Sequence, residues 1–383
     1  MPRHLALSIA VICLVATLGA GGSAWKWSGT FGSNAVSLLI IGDVQVHDRR
    51  ADPATAFVNM RETLMTADLV YANLEGVLVK SQGPEGDIPD KKGWTHPGTG
   101  GVIALKSAGI DAVGLANNVA YGRNNILATK KLLDEHGIVN VGAGRNLDEA
   151  HRPAIVERKG VKIGFLQYTA RWYREDEQLA TATAPGVARL TSRDGMTSDP
   201  ADLSRMQKDV QRLRPLVDIV VVSHHNRDGA TPVQFGPQKP RRTDEPRPDR
   251  SRAEEYQHQF ARAAIDTGAD LVFGHGTHYV QGVATYKGKP ILYAIGHSAF
   301  DQPGYEDSTD GLVVRVVIES KRIARVSFVP VSRDSQNNVL MLDPSGDGAK
   351  LVAHVRERSA DVSLRVDGQE VVMLERRRET SRR

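Results

Sequence analysis

Residues 274–278 read Gly274-His275-Gly276-Thr277-His278, two imidazoles three positions apart on a glycine-bearing loop. Glycine lets the backbone turn tightly there, so both rings can reach one point. Other polar residues recur in the same local setting, just after a short apolar run. They are Asp43, Asn73 and Glu75, Asn117 and Asn118, His224 and His225, and His297. Carboxylate, amide oxygen and imidazole together suit borderline divalent metals such as Mn, Fe or Zn. Several of each allow two ions about 3.5–4 Å apart, an arrangement that activates a water or clamps a displacement at phosphorus. Taken singly, each piece has an ordinary structural reading. Asp43 reads as a turn or cap residue, Asn117-Asn118 as a helix cap, and His224-His225 as one buried and one solvated histidine.

The elements that must position these residues follow one grammar. A helical stretch ends at a small residue, an acid follows, and then a short apolar strand runs into polar residues. Asp68, Asp111, Asp218 and Asp270 stand at four such strand starts, while the strands beginning near Val36 and Pro290 lack the acid. Strands alternating with helical segments imply α/β layering, and continuous apolar runs suit strands buried on both faces. Residues 102–107, 125–135 and 254–267 read as helices. The last carries Tyr256, Phe260, Ala263 and Ala264 on one face. In an open α/β sheet, ligands bind beyond the carboxyl ends of the strands, which is where the polar clusters fall. Residues 181–200 and 236–252 read as exposed loops, and residues 311–319, 325–331 and 362–374 as further strands with no ligand cluster.

Composition narrows the chemistry. Among 383 residues the only cysteine is Cys13. It lies inside an apolar run, residues 5–20, that follows Arg3 and precedes small residues ending at Ala24. This pattern predicts a secretory signal peptide over residues 1–24, with an uncleaved anchor left open. A mature chain without cysteine excludes disulfides, thiolate ligands and a cysteine nucleophile. Net charge is +4, concentrated in residues 241–252 and the tail 376–383, and aromatics are only 5%. Basic stretches without interleaved aromatics argue against stacking on nucleic acid.

The motif order Gly-Asp, Asn-Leu-Glu, Leu-Ala-Asn-Asn, Ser-His, Gly-His-x-x-His and Tyr-x-x-Gly, over residues 36–301, resembles the CapA family. These are capsule and poly-γ-glutamate biosynthesis proteins related to calcineurin-like metallophosphoesterases. The resemblance includes plainer stretches such as Gly142-Ala143-Gly144. It implies an α/β fold with a four-layer αββα sandwich over residues 36–301, a β-rich C-terminal extension over 302–375, and two divalent metal ions. It also implies Asp43, Glu75, Asn118, His224, His275 and His278 as ligands. Val119 stands where the family carries a histidine, and valine can neither donate a proton nor hold charge. His225 and His297, with His47 and His96, are the candidates to take over that catalytic role, and Asn117 joins them as an orienting neighbour. The expected partners are an anionic extracellular polymer or a phosphoester, with a membrane-bound synthesis or export complex, outside the cytoplasm. Two other functions remain open: a non-catalytic polymer-binding or assembly factor, and a phosphodiesterase unrelated to capsule.

Overall fold

The computed structural model describes residues 24–46, 50–79, 88, 96–192, 196–226, 251–301 and 310–375. The apolar N-terminal run, His47, most of the Arg-rich stretch and the basic tail lie outside them. Among the described residues no helix is long and apolar enough to cross a membrane.

The apolar run Val36–Gln45 forms the middle of a ten-stranded sheet. On one side it pairs in parallel with Leu69–Leu74, which is followed by Ala112–Gly114 and Val139–Val141. On the other side it pairs antiparallel with Gly311–Glu319, which pairs with Arg322–Arg333. The hairpin Val362–Asp367 and Glu370–Glu375 completes that edge. The residues read from sequence as a C-terminal extension therefore supply half of the sheet that carries Asp43. Ser28 N donates to Glu370 Oε1 at 3.0 Å, tying the start of the described chain to the last hairpin.

A second sheet has six strands. Val161–Thr169, Ile219–His225, Leu271–His275 and Lys289–Leu292 run parallel, with Ala154–Arg158 and Val283–Tyr286 antiparallel at the edges.

Among the described residues, strand alternation assigns most of the buried side chains to three large cores. Leu38 and Ile40 share one with Tyr71, Phe165 and Phe273, between the two sheets. Leu39 and Ile41 face the other way, toward Leu105 of helix Gly100–Ser107 and Ile126 and Leu133 of helix Arg123–Glu135. Outside the second sheet, Leu166, Val220 and Val222 pack on helices Pro200–Leu213 and Glu255–Thr267 through Met206, Val210 and Phe260. Tyr71 joins the two sheets, stacking on Phe165 at 5.0 Å and meeting Phe273 edge-on at 5.6 Å. Such aromatic pairs contribute about 0.5–1.5 kcal/mol each beyond their buried area.

The acids at the strand starts have a common structural use. Asp68, Asp111, Asp218 and Asp270 accept the backbone N–H of Ser37, Val70, Lys162 and Val220 respectively, each at 2.9 Å. Each carboxylate thus satisfies a donor at the start of the neighbouring parallel strand, where the ladder has not yet begun. The helix Pro200–Leu213 was not anticipated, although its signals are present. Asp199 caps it through Ala201 N and Asp202 N, and Pro200 occupies the first turn.

Candidate metal centre

The parallel strands of both sheets deliver their polar ends to one buried region. Asp43 closes Val36–Gln45, in register with Asn73 on one side and His297 on the other. In the second sheet, His225 and His275 are paired neighbours. Asp43, Glu75, His225, His275, His278 and His297 are all buried.

Two triads form there, Asp43–His225–His275 and Asp43–His278–His297, each with its ligand atoms within 4.8 Å of one another. In the first, His225 Nδ1 lies 2.9 Å from His275 Nδ1 and 3.7 Å from Glu75 Oε2. His275 Nδ1 lies 3.6 Å from Asp43 Oδ1. In the second, His278 Nδ1 lies 2.6 Å from His297 Nε2. Asp43 belongs to both.

Amides orient these groups. Asn73 Nδ2 donates to Asp43 Oδ1 at 2.8 Å and to Glu75 Oε2 at 3.1 Å, holding the two carboxylates together. Asn73 Oδ1 accepts from Gln167 Nε2 at 2.8 Å, and that same nitrogen lies 2.9 Å from His275 Nε2. Gln167 Oε1 accepts from Ala116 N. Gln167 was missed in the sequence, where its signal was a lone amide within the apolar run Phe165-Leu166-Gln167-Tyr168. His225 Nε2 stands 2.7 Å from Asn118 Oδ1. An amide oxygen only accepts, so His225 carries its proton on Nε2 and turns the Nδ1 lone pair toward His275 and Glu75.

The loop after His275 is strained in the manner of a functional turn. Gly276 has φ +89°, and a Cβ there would stand 2.7 Å from the His225 ring. Its N–H donates to Asp43 Oδ2 at 3.1 Å. His278 itself has φ +63°, a conformation that costs a non-glycine residue of order 1 kcal/mol and is retained where the surroundings demand it.

Other expected residues sit differently. His224 and His225 are consecutive in a strand, so their side chains leave opposite faces. It is His225 that enters the centre. His224 turns outward between Tyr256 and Phe260, with Nδ1 on Asn226 Oδ1 at 2.7 Å and Nε2 on Leu190 O at 2.9 Å. Asn118 reaches the region through its Oδ1, which stands against His225 Nε2. Asn117 is spent on backbone, donating to Leu74 O and accepting from Val119 N and Ala120 N, so it shapes the turn. His297 stands beside His278 as a member of the second triad. Val119 is fully buried in a small apolar cluster with Ile88 and Tyr121, and Tyr173 packs against it. His96 Nδ1 accepts from Val77 N at 3.3 Å.

This donor set fits a divalent ion. Burying two carboxylates is costly unless hydrogen bonds or a cation compensate; Asn73 supplies the first and an ion would supply the second. Burial holds the His275 imidazole well below its ordinary pKa, with His224 adding a smaller push. The ring is therefore neutral at physiological pH, the state in which imidazole binds metal.

An α/β sandwich with a buried Asp/His centre at the ends of its parallel strands is the class that this fold and site define. Residues 37–239 and 247–302 match the bacterial capsule synthesis protein family PGA_cap, and the chain belongs to that family. The capsule biosynthesis protein CapA of Bacillus anthracis is 25% identical over 342 residues, spanning 86% of this chain and 76% of that protein. The PGA biosynthesis protein CapA of Bacillus subtilis (strain 168) is 24% identical over 338 residues, spanning 85% and 79%. A protein of Mycobacterium tuberculosis described as a probable polyglutamine synthesis accessory protein is 30% identical over 249 residues, spanning 62% of this chain and 57% of its own.

Proposed function

We propose that this chain is an exported member of its family that acts in capsule or poly-γ-glutamate biosynthesis through a centre for two divalent ions. Family membership and the names of its relatives support the role in polymer synthesis. The observation that carries the metal reading is that Asp43 belongs to both buried triads, as a residue shared between two ions would. The three separate cores support the four-layer αββα arrangement that such centres occupy.

In this reading Glu75, His225 and His275 would help to hold one ion, His278 and His297 would help to hold the other, and Asp43 would contribute to both. Asn118 and Gln167 orient His225 and His275. Mn, Fe or Zn bound there would polarise a substrate oxygen and lower the pKa of a water. Asn73 holds the two carboxylates adjacent by donating to both. Burial of every candidate ligand excludes bulk water and strengthens each electrostatic contact. The substrate is an anionic extracellular polymer or a phosphoester, handled with a membrane-bound synthesis or export complex. Export rests on the N-terminal apolar run.

The test is metal analysis of the purified full chain, followed by turnover of poly-γ-glutamate and of a phosphodiester. About two equivalents of metal with turnover of either substrate is the expected result. A folded chain that takes up no Mn, Fe or Zn on reconstitution would overturn the reading.

A further inference from the structure

We propose that the turn between strands Arg322–Arg333 and Val339–Met341 positions the Asp43–His278–His297 triad, acting through Phe300. The inference rests on the reading that this triad holds an ion. The His297 ring stacks flat on Phe300, with centroids 4.0 Å apart and planes 5° from parallel. The same Phe300 ring meets His278 edge-on at 5.5 Å. One buried aromatic ring thus borders both imidazoles. A histidine ring is otherwise free over a broad χ2 range. The stack leaves His297 one plane, in which Nε2 reaches within 2.6 Å of His278 Nδ1.

Phe300 is held in turn from the C-terminal strands. Its carbonyl accepts from Arg333 Nη1 and from Asn337 Nδ2, the latter at 3.0 Å. The Arg333 guanidinium lies 5.9 Å from the Phe300 ring centroid, within cation–π range. Arg333 Nη1 also donates to Asn337 Oδ1 at 2.7 Å. The next residue, Asp301, accepts from Arg50 Nε at 2.8 Å and from Asn337 Nδ2. Arg50 Nη2 closes the ring of contacts on Asn337 O at 2.6 Å. Asn337 has φ +64°, so its backbone takes the left-handed turn that presents the side chain to Phe300. Residues 36 positions beyond His297 or more thereby set its ring plane.

The test is a Co(II) titration of the full chain after chelator treatment, read by visible absorption and equilibrium dialysis. Asn337→Gly keeps the left-handed backbone and deletes the side-chain contacts. Arg333→Met deletes one of the two donors to the Phe300 carbonyl, and Arg333→Lys restores a cationic donor there. Groups that orient metal ligands typically change affinity by about 10–100-fold. The expected result is that the native chain binds two equivalents, while Asn337→Gly and Arg333→Met weaken one of them by about that factor and leave the other unchanged. Arg333→Lys recovers part of the loss. Two unchanged equivalents in both variants would overturn the proposal. So would loss of both together with a lower unfolding midpoint of the metal-free chain, which marks a general stabilising role. A native chain that binds fewer than two equivalents overturns the two-ion reading itself, and the proposal with it.

Discussion

His225 and His275 occupy paired positions on two adjacent parallel strands, and their Nδ1 atoms lie 2.9 Å apart. His224, one residue earlier, is bonded at both nitrogens on the opposite face. The two neighbours therefore respond differently to removal. His225→Ala is expected to lower metal content by about one equivalent. His224→Ala is expected to retain metal at neutral pH but to destabilise the metal-free chain by about 1–3 kcal/mol, because buried groups lose their partners. Elemental analysis and denaturant titration of both variants check this. The reverse pattern would assign the ligand role to His224.

The pair His275 and His278 contributes to both triads. Changing both to Ala is expected to abolish metal binding while the far-ultraviolet circular dichroism stays native, because the strands are held by apolar cores on each face. Unchanged metal content in the double variant would refute the centre.

The motif resemblance implies a histidine at position 119, where this chain has Val119 buried among apolar side chains. A positioned general acid is worth about 10²–10⁴-fold. Val119→His is therefore expected to raise basal hydrolysis of a phosphodiester by at least about tenfold, at some cost in stability from burying a polar ring. If a variant that still binds metal hydrolyses no faster, the acid is supplied from another position.

Burial pushes the His224 imidazole down to about 4 from its ordinary 6.5. Between those values the unfolded chain binds a proton that the folded chain does not. The stability contributed by neutral His224 is thus full above pH 6.5 and is lost as pH falls toward 4. At about 1.4 kcal/mol per pH unit, the loss approaches 2 kcal/mol between about pH 7 and pH 5. Denaturation of the metal-free chain at the two values, compared with His224→Gln, measures it. An equal pH dependence in both chains would exclude His224 as the cause.

Much of this architecture was legible in the residues. Apolar runs bounded by turn residues located several of the parallel strands, because strands buried on both faces tolerate little else, although Val161–Thr169 was not among those read. Helical periodicity located three helices to within about two residues, and Glu254 with Gln257 forms the capping box of the third. The acid before four strands was visible as a pattern, though its use on the neighbouring strand was not. Loop chemistry marked Gly276 and the flanking histidines, since the signal lies within five residues.

What the tertiary structure decided was which face and which neighbour. Ile219–His225 is buried on both sides, so its apolar pattern does not reveal which of two adjacent histidines points inward. That parity depends on how the strand sits against Val161–Thr169 and Leu271–His275. Likewise, residues 311–375 carry no mark in their own sequence that they complete the sheet beside Val36–Gln45. Their pairing partner lies more than 260 residues earlier in the chain. His297 and Gln167 enter the centre for the same reason: register between distant strands, not local spacing, brings their side chains to Asp43 and His275.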